Sequence, residues 1–160
     1  MKIKEGDMLP DVKVFILEKD PKEISIKQIV GDKRVILFGL PGAFTATCSA
    51  KHLPGFINNY HKFKSKGIEK IFCISVNDPF VMDAWRKANN AGEKIIMLSD
   101  PFLNFTKAIG AEVDKSAKGL GIRSNRYSMI VNNLKISNLE EEKDTKDCEI
   151  SSADNFLGKI

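Results

Sequence analysis

The sequence predicts an α/β fold, a single domain over residues 1–160 with a central mixed β-sheet flanked by helices. Three observations predict it. Val35–Leu40 and Ile71–Val76 are continuous apolar runs, as in strands buried on both faces. Helical spacing of apolar residues follows each run. Late in the chain, two further apolar runs flank Asn132-Asn133, a pair typical of a β-hairpin turn.

The first third of the chain begins with strands and leads into a helix. Val12–Leu17 is predicted as a strand, whereas Ile24–Val30 fits either a strand or a short helix. Apolar residues have helical spacing from Leu53 to Phe63. We expect Gly67 to end this helix and Pro54 to kink it near its first turns.

Beyond the second buried strand, helices and strands continue to alternate. Asp78-Pro79 predicts a helix start, with the aspartate as cap, and Ile95–Leu98 a third short strand. Asp100-Pro101 is expected to open a helix toward Ile109. Gly110–Ser124 is rich in glycine and charge, so we expect a long loop there.

The last third predicts a hairpin and a closing helix. Tyr127–Val131 and Leu134–Ser137 form the hairpin strands, and Glu140–Asp147 is predicted to be a charged loop. Ser151 begins a capping region for a final helix through Leu157. The order is therefore βαβ followed by ββα around one sheet, which is the thioredoxin-like plan.

Composition narrows the function classes. The net charge of +4 is small and spread along the chain, which argues against nucleic acid and membrane surfaces as partners. Met1–Asp7 has no apolar core of the kind found in secretory signals. No apolar run approaches the roughly 20 residues that span a bilayer. We therefore expect a cytoplasmic protein.

The cysteines are Cys48, Cys73 and Cys148. An odd number at wide spacing, without a Cys-x-x-Cys pair, predicts neither a disulfide framework nor a thioredoxin-type dithiol. Cys73 lies inside a predicted buried strand, where a cysteine is usually a small hydrophobe. Cys148 follows the charged loop and precedes the last helix.

Cys48 is the candidate nucleophile because it is predicted where a strand turns into a helix. The positive end of a helix favours the thiolate. Thr45, three residues earlier, can donate to the thiolate and accept from an incoming hydroxyl. Pro41 ends the strand and walls off the sulfur without offering an N–H. Such a thiolate suits attack on the weak O–O bond of a peroxide, which yields a sulfenic acid.

A fixed cation would support the thiolate and steady the leaving oxygen. Arg126 is a candidate because it opens the late strand, which in such a sheet can pair beside the strand leading to Pro41. Arg123 is the local alternative, and spacing alone leaves both open.

Several segments together resemble one family, the type II (Prx5) group of peroxiredoxins. Pro41–Ser49 followed by His52–Phe56 resembles its active-site signature. Further similar segments are Cys73–Met82, Trp85 and Gly121–Met129. The resemblance covers nearly the whole chain in the expected order.

The resemblance implies a role for each matched residue. Cys48 would be the peroxidatic cysteine, Thr45 and Pro41 the other motif positions, and Arg126 the arginine that completes the site. Ala46 departs from the pattern, because many relatives carry a second proline there. The implied reaction is thiol-dependent reduction of hydrogen peroxide and alkyl hydroperoxides.

The family also implies partners. The reductant would be thioredoxin, glutaredoxin or glutathione, the assembly a homodimer, and no metal, haem, flavin or nucleotide is implied. Some members have a resolving cysteine near the position of Cys148, and in some the match to Cys73 is a redox partner. The alternative for Cys148 is a loop cysteine, with direct reduction by an external thiol.

The sequence alone leaves other interpretations open for the histidines, for some apolar residues and for the function. His52 follows Cys48 by four residues, and a supporting role is favoured over metal binding, while His61 is expected on the surface. Four apolar residues fit either the core or a dimer interface, namely Phe44, Phe80, Val81 and Trp85. A general thiol–disulfide oxidoreductase and a redox sensor or chaperone are the alternative functions.

Overall fold

The computed structural model describes residues 1–160 and contains a seven-stranded mixed sheet and a separate two-stranded sheet. The strands are β1 Lys13–Leu17, β2 Pro21–Ser25, β3 Arg34–Gly39, β4 Lys70–Ser75, β5 Ile96–Ser99, β6 Glu112–Asp114, β7 Ile122–Ser124, β8 Tyr127–Asn132 and β9 Lys135–Glu141. The helices are α1 Ile26–Val30, α2 Leu53–Asn58, α3 Tyr60–Ser65, α4 Pro79–Ala88, α5 Asn104–Ala108 and α6 Ala153–Leu157. None of these helices has the length and apolar character needed to cross a bilayer.

The order of the large sheet is β2-β1-β5-β4-β3-β8-β9. β3 pairs with β4 in parallel and with β8 antiparallel, and Gly39 lies opposite Tyr127. This register sets Arg126, just before β8, beside the end of β3, from which the chain continues to Pro41. The pairing expected from the sequence is confirmed.

Two apolar layers cover the faces of this sheet. Ile36 and Phe38 point into the layer that α2, α3, α4 and α6 complete, whereas Val35 and Leu37 point into the layer that contains α1 and α5. Alternate side chains of β3 are therefore buried on opposite faces, which explains its continuous apolar sequence.

The ambiguous segment Ile24–Val30 is both a strand end and a helix. β2 ends at Ser25, and this residue also begins α1 with a capping box. The Ser25 hydroxyl accepts a hydrogen bond from the Gln28 N–H at 3.1 Å, and the Ser25 N–H donates to the Gln28 side chain at 3.2 Å. The cap fixes the boundary between strand and helix.

The expectation of a plain loop at Gly110–Ser124 is wrong. β6 and β7 pair antiparallel there, with Val113 opposite Arg123, around a 3-10 turn at Ser116–Lys118. The strands are only three residues long and half-exposed, so their sequence lacks the apolar alternation that marks a longer strand.

The helix after Cys48 differs in detail from the expected one. A π turn spans Cys48–His52, and the Leu53 N–H donates to the Cys48 carbonyl five residues back. Pro54 has no N–H for an ordinary helical bond, and the wider turn just before it accommodates this. Asn59 separates α2 from α3, which ends before Gly67 as expected.

Three smaller boundaries also shift. The hairpin turn is Asn133-Leu134, both with positive φ, instead of Asn132-Asn133. β9 continues to Glu141 and takes in the start of the expected charged loop. Helix α5 begins at Asn104, because the Asp100 carboxylate reaches forward to the N–H groups of Phe105 and Thr106.

Candidate active site

The loop between β3 and the π turn is held from two sides. The Asn77 side chain, after β4, accepts from the Ala43 N–H at 2.8 Å. Arg123 donates to the Pro41 carbonyl at 3.1 Å. A Cβ on Gly42 would lie 2.6 Å from the Arg123 guanidinium, so a side chain there would force Arg123 to shift. Arg123, one of the two candidate cations, therefore fixes the loop.

Cys48 is fully buried, and its sulfur accepts a hydrogen bond from Arg126 Nη2 at 3.1 Å. Arg126 is itself buried. Its Nε and Nη2 both donate to the Thr145 carbonyl, at 3.2 and 3.0 Å. The structure thus brings Arg126, the other candidate, onto the sulfur of Cys48. A charge-assisted bond of this kind stabilises a thiolate over a thiol.

Thr45 and Pro41 line a cleft of about 570 Å³ that Arg126 also borders. The Thr45 hydroxyl donates to the Gly42 carbonyl at 2.6 Å. The expected hydrogen bond from Thr45 to the Cys48 sulfur is therefore not made, because the hydroxyl proton is already engaged. The lone pairs of this oxygen stay available to accept from a bound hydroxyl or peroxide.

His52 continues the chain of contacts from Arg126 into the protein. The Ser128 hydroxyl donates to the Ser151 carbonyl at 2.6 Å, so its oxygen must accept from His52 Nε2 at 3.0 Å. Nδ1 then carries no proton and accepts from Arg126 Nη1 at 2.9 Å. Burial, and next the charge of Arg126, lower the pKa of His52 well below its ordinary value. His52 is therefore a neutral acceptor that orients the guanidinium.

Both ring nitrogens of His52 are thus used within the protein, and its ring packs against Phe38 and Phe56 with centroids 4.8 and 5.7 Å away. This surrounding favours the supporting role over a metal ligand. His61, by contrast, is exposed, as expected.

A buried carboxylate anchors the segment that covers Arg126. Residues 143–151, called here the strap, connect β9 to the cap of α6. Glu142 Oε1 accepts from the Glu149 N–H at 2.7 Å and from the N–H and hydroxyl of Ser151, both at 2.9 Å. The Glu142 N–H donates to the Arg126 carbonyl at 2.9 Å. Glu142 therefore joins the strap to Arg126, just before β8.

The other cysteines lie in different surroundings, and all three cysteines are free thiols. Cys73 is buried in β4, in the same apolar layer as Cys48, and burial followed by the nearby Cys48 charge raises its pKa well above the ordinary value. Cys148 is half-buried in the strap, and burial raises its pKa too. Thr47, next to Cys48, donates to the Lys146 carbonyl at 3.0 Å, so the strap contacts the residue just before the π turn of Cys48.

Sequence reasoning missed four supporting residues, Asn77, Ser128, Glu142 and Ser151. Asn77 and Ser128 lie inside segments that already resembled the family, so a signal was present. Glu142 stands in a run of acidic residues, and nothing in the sequence separates it from its exposed neighbours. Only the fold shows that it is buried.

The chain is similar to several known proteins over nearly its whole length. The Redoxin family profile matches residues 4–157. Peroxiredoxin-2C of Oryza sativa subsp. japonica is 46% identical over 140 residues, which cover 85% of this chain and 86% of that protein. The crystal structure of reduced Prx3 in complex with H2O2 from Vibrio vulnificus has a TM-score of 0.92 and 41% identity, covering 98% of this chain and 95% of that one. The Plasmodium falciparum antioxidant protein, a 1-Cys peroxiredoxin, has a TM-score of 0.91 and 34% identity, covering 99% of this chain and 100% of that one.

Proposed function

The chain belongs to the peroxiredoxins of the redoxin family, thiol-dependent peroxidases with a thioredoxin-like fold, and we propose that Cys48 is the residue that attacks the peroxide. The observation that carries this proposal is the hydrogen bond from Arg126 to the Cys48 sulfur at 3.1 Å. A cysteine becomes a nucleophile as its thiolate, and a buried guanidinium favours that form.

The proposed chemistry has two halves. The Cys48 thiolate attacks one peroxide oxygen, the S–O bond forms and the O–O bond breaks, and the leaving oxygen takes up a proton to become water or an alcohol. Arg126 stabilises the charge on sulfur and on the leaving oxygen, and the Thr45 oxygen accepts from the peroxide hydroxyl. Two thiol equivalents then reduce the sulfenic acid, releasing water and one disulfide and restoring the Cys48 thiol.

The test is peroxide consumption with dithiothreitol as reductant. Cys48→Ser is expected to abolish turnover, whereas the matched variant Cys73→Ala is expected to retain it, because Cys73 is not among the residues that line the cleft. Retention of wild-type activity by Cys48→Ser contradicts the proposal.

We further propose that Cys148 resolves the sulfenic acid. Its thiol would attack the oxidised Cys48 sulfur, closing a disulfide and releasing water, and a thioredoxin or glutaredoxin would reduce that disulfide. The contact of Thr47 with Lys146 supports this, because it ties the strap that carries Cys148 to the helix of Cys48. The alternative is direct reduction of the sulfenic acid by an external thiol.

Disulfide mapping after one equivalent of peroxide separates these two routes. A Cys48–Cys148 disulfide is expected, and it is expected to disappear in Cys148→Ser. Sulfenic acid on Cys48 with Cys148 still free means that an external thiol does the reduction. Comparing turnover with thioredoxin, glutaredoxin and glutathione then identifies the reductant.

A homodimer is also proposed. Of the four residues that fitted either the core or an interface, Trp85 is buried and Val81 half-buried, whereas Phe44 and Phe80 are 58% and 60% exposed. Both residues lie near the loop between β3 and the π turn. Phe44 is part of this loop, next to Ala43, and Ala43 is hydrogen-bonded to Asn77, which shortly precedes the helix that contains Phe80. Exposed aromatic residues at one place are typical of protein interfaces. Sedimentation velocity is expected to show a dimer that Phe80→Asp converts to monomer, and a monomeric wild-type protein contradicts it.

For the compartment we propose the cytoplasm. The three free cysteines fit a reducing environment. Cell fractionation with an antibody to the protein tests this, and its recovery in an organelle fraction contradicts it.

A further inference from the structure

The entrance of the cleft carries more positive charge than the proposed reaction uses. Lys115, Lys118 and Lys146 line it together with Arg126. Four of the five N–H groups of the Arg126 guanidinium are donated to Cys48, His52 and the Thr145 carbonyl, which leaves one for a bound oxygen. The lysine ammonium groups add further cations for a bound molecule.

The lysines have few internal partners. The Lys115 ammonium donates to the Thr145 hydroxyl. The Lys146 ammonium lies 4.0 Å from the Asp144 carboxylate, and the side chains of Lys146 and Asp144 are largely exposed. Lys118 takes part in none of the salt bridges. An exposed pair at that distance contributes little, so it does not neutralise the entrance.

The charges of the three lysines all affect one neighbouring carboxylate, that of Asp144. The pKa of Asp144 is lowered, first by the Lys146 N–H at 3.0 Å and then by the charges of Lys146, Lys115 and Lys118. All three cations are therefore near a single exposed carboxylate. Asp144 is the one acidic residue of the lining, and the remaining lining is largely polar.

We propose that Lys115, Lys118 and Lys146 form a carboxylate-binding site at the entrance of the cleft, which selects co-substrates that carry a carboxylate. The inference rests on the proposed function, because the cleft must lead to the reacting cysteine. The carboxylate belongs either to the organic part of a hydroperoxide or to the thiol that reduces Cys48. In both cases the lysines hold the anion and direct the reactive end toward Arg126.

The experiment uses pairs of related compounds, one neutral and one that carries a carboxylate. Cumene hydroperoxide is compared with its para-carboxylate, and 2-mercaptoethanol with mercaptoacetate as the reductant. The readout is the ratio of kcat/KM for the charged compound to that for the neutral one. The variant K115A/K118A/K146A is compared with K19A/K62A/K107A, which removes the same charge from exposed positions outside the cleft.

The cleft variant is expected to lower the ratio about tenfold in at least one pair, and the pair that responds identifies the source of the carboxylate. The control variant is expected to keep the wild-type ratio. Raising the ionic strength to about 0.3 M is expected to lower the ratio in the wild type and not in the cleft variant.

An unchanged ratio in the cleft variant for both pairs overturns the inference, as does an equal drop in the control variant. The single variant Lys118→Ala, at an exposed side chain without a salt bridge, supplies the same comparison should the triple variant fold poorly. Lack of turnover of hydrogen peroxide by the wild type contradicts the proposed function instead, so the two failures are distinguishable.

Discussion

At the residue scale, the buried charge of Arg126 is stabilised by hydrogen bonds to several acceptors. Each of its terminal nitrogens has an acceptor, namely the Cys48 sulfur, the His52 ring and the Thr145 carbonyl. An unpaired guanidinium in this place would cost several kcal/mol. Its partners come from the π turn and from the strap. Arg126 can therefore make all of these hydrogen bonds only when both segments are in position.

The neutral state of His52 predicts a pH dependence of stability. Its pKa is lowered in the folded protein, by burial and then by Arg126, so below the ordinary histidine value near 6.5 the unfolded chain binds a proton that the folded chain does not. The contribution is therefore fully present above pH about 6.5 and is lost as the pH falls, by at most about 1.4 kcal/mol per pH unit.

Urea unfolding at pH about 7.5 and about 5.5 measures this loss. His52→Gln, which can accept from Arg126 and donate to Ser128, is expected to remove the histidine part of the slope, whereas His61→Gln at an exposed site is expected to keep it. Equal slopes in the wild type and His52→Gln would contradict the neutral assignment.

Tyr127 provides a second prediction at this scale. Its buried hydroxyl has no hydrogen-bond partner, and burial raises the pKa of this phenol well above its ordinary value. Leaving such a group unpaired costs about 1–3 kcal/mol, so Tyr127→Phe is expected to raise the free energy of unfolding by about 1 kcal/mol. The half-buried Tyr60→Phe serves as control and is expected to change it little. Destabilisation by Tyr127→Phe would show that the hydroxyl is paired.

At the element scale, the close pairing of β3 with β8 leaves no room for a side chain at the last residue of β3. Gly39 lies opposite Tyr127, and a Cβ on Gly39 would collide with the Tyr127 ring. The same pairing holds Arg126 beside the loop that begins at Pro41. The glycine therefore belongs to the geometry of the site as well as to the sheet.

Two glycine substitutions are expected to have opposite effects. Gly39→Ala forces an atom into the buried Tyr127 ring and is expected to lower the free energy of unfolding by about 1–3 kcal/mol. In Gly55→Ala, in helix α2, the new Cβ meets only Ala153, at 3.5 Å from its Cβ and 4.0 Å from its nitrogen. This substitution is expected to raise the free energy of unfolding by about 0.5–1 kcal/mol through helix propensity. Chemical denaturation of both variants checks the signs, and equal effects would contradict the packing argument.

At the scale of the whole molecule, Glu142 connects Arg126 to Cys148, the cysteine proposed to resolve the sulfenic acid. Glu142→Ala removes the acceptor of three hydrogen bonds from the strap. We expect the strap to loosen, so that Cys148 reacts several-fold faster with iodoacetamide and kcat/KM for hydrogen peroxide falls as Arg126 loses its Thr145 partner.

Mass spectrometry of the alkylated protein measures the first effect and a peroxide assay the second. The exposed neighbour Lys143→Ala is the control and is expected to change neither. Faster alkylation without loss of activity would mean that the strap does not hold Arg126.

The sequence by itself determined the sheet and helix order and the candidates Pro41, Thr45, Cys48 and Arg126, because continuous apolar runs, caps and one dense local motif are short-range signals. It left Arg123 and Arg126 open until a family resemblance favoured one of them. Neither β6–β7 nor the shifted hairpin turn was predicted, because short exposed strands and non-glycine residues with positive φ have weak sequence signatures.

Only the tertiary structure decided what surrounds the sulfur. It brought Arg126 to Cys48 across 78 positions of sequence, gave Arg123 a separate role at Pro41, and buried Glu142 beneath the strap. These contacts depend on the register of β3 against β8 and on which distant segments of the chain pack together. A pairing between residues far apart in the chain is fixed by packing of the whole sheet, which no local pattern encodes.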